Sequence, residues 1–165
     1  MNQMTKQVYD YLEMVAKVAE PMAAKRAWPY GCIEDFILKN GQSFEREVLG
    51  KDDAEWMRGE LGQCYKNTFE LCTSEPMFTY CEGYAVTDKL PLPLLHAWAV
   101  TPGGNVVDPT WKNGQAYFGV KFPLWYCMKV MWKTEMWGVL DSWTIQFPLL
   151  TGEHPWPLIK EEVKL

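Results

Sequence analysis

Two histidines are present in the 165-residue chain, and one of them, His96, lies in the stretch "LLHAWAVTPGGNVVDPTW". Asp108 follows it twelve residues later, across a stretch rich in turn residues. If the loop is Thr101–Gly103 or Val100–Gly104, an antiparallel hairpin sets His96 directly opposite Asp108. Opposed residues share a face, with Cβ atoms about 5 Å apart. Pro109 biases Asp108 towards extended backbone, as a strand position requires. A carboxylate on one ring nitrogen fixes the imidazole tautomer and stabilises the imidazolium, which leaves the other nitrogen free to serve a nucleophile.

A nucleophile must then be found. Ser43, Ser74 and Ser142 lack the glycine-flanked context of a strained nucleophile elbow. Cys64, in "GQCYKNTFELC", follows Gly62 and Gln63 at the expected start of a helix. Unpaired N–H groups at a helix N-terminus favour an anion, and a nearby imidazolium adds to that effect. The same N–H groups suit an oxyanion formed at an attacked carbonyl. Cys64, His96 and Asp108 are therefore the candidate catalytic residues.

The elements that must position them follow from periodicity. Val8, Tyr11, Leu12, Val15, Val18, Ala19 and Met22 recur at helical spacing, which predicts an amphipathic helix over residues 4–26, ended by "WPYG". Short helices are expected in "CIEDFILK" and in "KDDAEWMRGELG", and a further one from Cys64 through Cys72. From Met77 the period falls to two: "MFTYCEGYAVT", "LLHAWAV", "NVVDPTW" and "AYFGVKF" read as strands between turn residues. Pro123 suits the start of a last helix, "LWYCMKVMWKTEMWGVL", with Trp125, Met128, Trp132, Met136 and Val139 as its core-facing stripe. The expected fold is α+β: N-terminal helices, a nucleophile helix packed on a small antiparallel sheet, and a C-terminal Trp-rich helix, all in one domain over 1–165.

Composition narrows the function classes. Forty-eight per cent apolar and 22% charged residues are those of an ordinary globular chain. A net charge of −5 offers no basic stripe for a phosphate backbone, so nucleic acid is not the expected partner. The N-terminal twenty residues contain no apolar run of signal-peptide or membrane-span length. Five cysteines at scattered spacing do not form a disulfide framework, which points to a reducing cytoplasm. Without CxxC pairs and with two histidines, neither a metal site nor a cofactor is expected. Cys72 and Cys81 read as core filler. Glu82 alternates with Tyr80 and Tyr84 and reads as part of a solvated strand face, with a cleft-facing position as the alternative.

The order of short motifs carries a resemblance. "GQCY" at 62–65 resembles the "GQCW" nucleophile motif of transglutaminases. "GY" at 83–84, "HAW" at 96–98 and "DPTW" at 108–111 resemble the core of the wider transglutaminase-like superfamily, whose fold is related to that of papain. The likeness spans about Gly62 to Trp111, under a third of the chain. It implies Cys64 as nucleophile, His96 as general base and acid, and Asp108 as the residue orienting His96. The implied chemistry is attack of the thiol on a protein or peptide amide, giving an acyl-enzyme resolved by water or by an amine. Calcium-dependent crosslinking is not implied, because the calcium-binding regions of animal transglutaminases are missing. Such enzymes can use an aromatic oxyanion donor well upstream of the cysteine, which makes Trp28 a candidate beside Gln63. Trp98 is a candidate for an aromatic wall of the substrate cleft. The competing readings are a catalytically silent binding module with an aromatic cleft, and an acyl transferase resembling arylamine N-acetyltransferases.

Overall fold

The computed structural model describes residues 3–46, 55–90 and 92–154. Helix α1 (Gln3–Arg26) buries Val8, Leu12 and Ala19 of the predicted stripe, the first two in the core shared with the sheet and Ala19 against Gly31. Val18 and Met22, assigned to the same stripe, are exposed, so the buried face is narrower than the periodicity implied. Ala27 in the left-handed conformation ends the helix, as the sequence "WPYG" predicts. Helix α2 (Ile33–Asn40) starts from Cys32, whose Sγ accepts the Asp35 N–H. Of the helix expected in "KDDAEWMRGELG", residues 51–54 lie outside the described residues, and a turn at 57 ends the remainder.

Helix α3 (Cys64–Ser74) begins at the expected residue. Five antiparallel strands follow one sheet order, β1-β5-β2-β3-β4: β1 (Gln42–Phe44), β2 (Thr79–Thr87), β3 (Leu94–Val100), β4 (Val106–Val107) and β5 (Gly114–Phe122). The fold is thus α+β, with the helices packed on a curled sheet. The strand β1 has too short a pattern to be read in the sequence, and "NVVDPTW" contributes only two strand residues before Pro109 withdraws a ladder donor.

Side chains of β2 divide the interior by alternation. Tyr80, Tyr84 and Val86 join the main core beneath the helices, with Leu12, Phe36, Leu71 and Val130. Cys81 and Ala85 face the other way, into a second cluster with Phe44, Trp98, Val100, Val106 and Tyr117. A bridge between Arg46 and Val106 ties the last strand back to the residues after the first, which closes the curl over this second cluster. Cys72 and Cys81 are buried core, as expected.

The last helix, α4 (Leu124–Thr134), is shorter than predicted, because Glu135 turns into the left-handed region. Its orientation also corrects the sequence reading. The buried side is Tyr126, Cys127 and Val130, whereas Trp125, Met128, Trp132 and Met136 are exposed, Trp132 at 89%. Helical spacing identifies a stripe but not which stripe faces inward when aromatic residues lie on both.

Candidate active site

The hairpin sets the geometry. Val100 pairs with Val106 and Ala99 with Val107, so the connecting loop is Thr101–Asn105. The Thr101 N–H donates to the Asn105 carbonyl and the Gly104 N–H to that of Thr101, which fixes a five-residue loop. This register differs from the one predicted. Extended by one step it sets Asp108 across from Trp98, two residues from His96, rather than directly opposite His96. The shift is even, so both side chains keep the same face. The contact is therefore diagonal, and the His96 Nε2–H donates to Asp108 Oδ2 at 2.8 Å.

Four donors hold the Asp108 carboxylate. Oδ2 also accepts the Tyr117 hydroxyl at 2.8 Å, and Oδ1 accepts the N–H groups of Thr110 and Trp111, each at 2.8 Å. Asp108 thus performs turn chemistry and histidine orientation at once. Trp111 stacks on the imidazole with centroids 3.8 Å apart and planes at 13°. An aromatic face favours a cation set over it, so this stacking supports the imidazolium.

The electrostatics agree. Burial alone would depress the His96 pKa, but the Asp108 charge and hydrogen bond, with those of Cys64, outweigh it and raise it to about 9. Burial likewise opposes ionisation of Asp108, yet the His96 charge and the hydrogen bonds received hold its carboxyl below the usual value. With Nε2 committed to Asp108, Nδ1 is the nitrogen left for Cys64.

Cys64 is half-buried at the first position of α3. Gly62, at φ +80, makes the turn into the helix, a conformation other residues rarely adopt. The Asn67 N–H makes the first intrahelical bond, to the Gln63 carbonyl. By helical geometry the N–H groups of Cys64, Tyr65 and Lys66 have no acceptor within the helix. Burial pushes Cys32 up to about 11 and Cys72 to about 12, and raises Cys81 and Cys127 further.

Asn67, which the sequence reading did not select, joins the two halves of the site. Its Nδ2 donates to the Glu60 carbonyl at 2.6 Å and to Thr110 Oγ1 at 2.9 Å, and its Oδ1 accepts the Glu60 N–H. The Gly59 N–H donates to the Pro109 carbonyl, and a Cβ on Gly59 would collide with Asn67. Helix α3 is thereby fastened to the loop that carries Asp108.

The remaining candidates separate. Gln63 is exposed and does not cap its own helix with its side chain. Trp98 is fully buried beneath His96 in the second cluster and does not line a cleft; its Nε1 has no partner among the described residues. Trp28 packs against the main core with the Arg26 guanidinium over its ring, contacts that do not join it to Cys64, His96 or Asp108. Glu82 is not solvated: it is 0% exposed, and the main-chain N–H groups of Val139 and Leu140 donate to its carboxylate.

Compared with protein-family models, with curated proteins and with solved structures, the chain matches none. Among the described residues no helix is long and apolar enough to cross a membrane. Among them too, no group of three or more His, Cys, Asp or Glu side chains is arranged to hold a metal ion.

Proposed function

We propose that the chain is a thiol-dependent amide hydrolase or acyl transferase of transglutaminase-like type, acting on protein or peptide amides. The observation that carries this reading is the His96–Asp108 bond of 2.8 Å, with Cys64 among the groups that raise the pKa of the same imidazole. Asp108 holds the ring and its charge; His96 takes the Cys64 proton and later gives one up.

The Cys64 thiolate attacks the amide carbon, and the carbonyl π electrons move onto oxygen. Backbone N–H groups at the start of α3 stabilise that oxyanion, and Gln63 is the side chain beside them free to share the role. As the tetrahedral intermediate collapses, the C–N bond breaks and the nitrogen leaves with the proton from His96. The resulting thioester is attacked by water or an amine, whose proton passes to His96, and the Cys64 thiolate is released. Five unpaired cysteines support a reducing compartment, the cytoplasm, as its setting.

The test is a screen with peptide glutamine, asparagine and backbone-amide probes, followed by mass spectrometry of the protein. An acyl adduct on Cys64, absent in Cys64→Ala, is the expected result; turnover that persists in Cys64→Ala contradicts the reading. The exposed Trp125, Met128, Trp132 and Trp137 favour a second reading, a binding module that keeps the fold without turnover. It predicts no adduct with any probe.

A further inference from the structure

Glu82 is a buried carboxylate that the proposed reaction does not use. It lies in the middle of β2, and none of the ion pairs among the described residues includes it. Three donors converge on it instead. Oε1 accepts the Tyr80 hydroxyl at 2.6 Å and the Val139 N–H at 2.7 Å, and Oε2 accepts the Leu140 N–H at 3.0 Å. Burying a carboxylate is unfavourable unless hydrogen bonds replace its water, and here two of the three come from one segment 57 and 58 residues away.

That segment borders the nucleophile helix. Trp137 packs on Phe69, with ring centroids 5.6 Å apart. Gly138, at φ +103, sits so close to the Tyr65 ring that an added Cβ would stand 3.3 Å from Cδ1. Residues 137 and 138 therefore run along α3 from Phe69 back towards its start, and the next two residues are fastened to Glu82. Tyr65 directly follows Cys64, and its own N–H is one of the free donors at the helix start.

We propose that Glu82 is a positioning residue, which holds Gly138–Leu140 against Tyr65 and thereby fixes the start of α3 around the Cys64 thiol. The proposal rests on the reading of Cys64 as the nucleophile. An amide cannot replace the carboxylate: it offers one acceptor and turns its NH2 towards at least one of the three donors. Burial raises the Glu82 pKa to about 7, against the lowering effect of the bonds from Tyr80, Leu140 and Val139.

The test follows alkylation of Cys64 by iodoacetamide from pH 5 to pH 9 in the full chain. In Glu82→Gln the pH midpoint rises and the rate at pH 8, where the wild-type Glu82 carboxyl is ionised, falls roughly tenfold, as displacement of groups around a reactive centre does. The loss vanishes when Glu82→Gln is made in a Tyr65→Ala background, because the effect passes through Tyr65. A purely structural role would lower the folded fraction and leave the midpoint of the folded protein where it was. Tyr80→Phe removes one donor and keeps the carboxylate; it is expected to lower the rate in the same direction by roughly threefold. A folded Glu82→Gln or Tyr80→Phe protein with the wild-type rate and midpoint overturns the proposal. His96→Ala serves in the same assay: if it too leaves Cys64 unchanged, the triad has failed, whereas a change there alone means only the role of Glu82 has failed.

Discussion

An imidazole bonded to a buried carboxylate titrates differently from one in water, and for His96 the direction has consequences for stability. Its pKa rises from 6.5 to about 9 on folding. The folded state thus binds this proton more tightly than the unfolded chain does. The resulting stability is fully present below pH 6.5 and is lost as the pH rises through 9. Glu82 acts with the same sign, since its pKa rises from 4.5 to about 7; its contribution declines as the pH climbs through that interval. Asp108 opposes them on the acid side: its lowered pKa gives stability present above 3.8 and lost as the pH falls through the folded value. Urea unfolding at pH 6, 7.5 and 9 should therefore give declining stability in the wild type. Asp108→Asn should flatten the His96 part of that decline, because the charge that raises the imidazole is gone. An undiminished slope in Asp108→Asn would show that another group carries it.

At the scale of elements, the site depends on how α3 is fastened to the Asp108 loop. Asn67→Ala leaves the Glu60 main chain and Thr110 Oγ1 without their partner and should destabilise the protein by about 1–3 kcal/mol in urea unfolding. Gln63→Ala, at the exposed helix start, should leave that stability unchanged. If Gln63 shares the oxyanion, its loss lowers turnover of an identified amide substrate by roughly 10²–10³-fold. The elements differ in how far the sequence reveals them. Strands β2 and β3 were legible because alternation persists over seven to nine residues, and the start of α3 was legible from Gly62 and Gln63. The two-residue β4 and three-residue β1 carry no such pattern, since their pairing is decided by closure of the sheet. The parity of the His96–Asp108 pairing was readable and its register was not, because a five-residue loop is consistent with more than one pairing. Asn67 was illegible for a related reason. Its partners stand 7 and 43 residues away, and a polar residue inside a helix looks solvated until those partners are brought to it.

Across the whole molecule the apolar residues serve two different purposes. The curled sheet and its helices bury one set, while Trp125, Met128, Trp132, Met136 and Trp137 remain on the outside of α4 and the segment after it. With Phe69 and Met131, four of these line a groove of about 360 Å³. Trp132→Lys should change stability by no more than about 0.5 kcal/mol, because that side chain is exposed. Leu140→Ala should cost about 2–5 kcal/mol by opening the main core. Guanidinium unfolding of the two variants checks this contrast, and a large loss in Trp132→Lys would mean the exposed face is misassigned. The reaction proposed for the buried site stands or falls on one comparison: iodoacetamide labelling between pH 5 and 8, with the modified cysteine located by mass spectrometry. Selective labelling of Cys64 at the acid end, lost in His96→Ala, is the predicted result. Labelling of Cys64 that is no faster than that of Cys32, or that His96→Ala leaves untouched, would contradict a Cys64–His96–Asp108 triad.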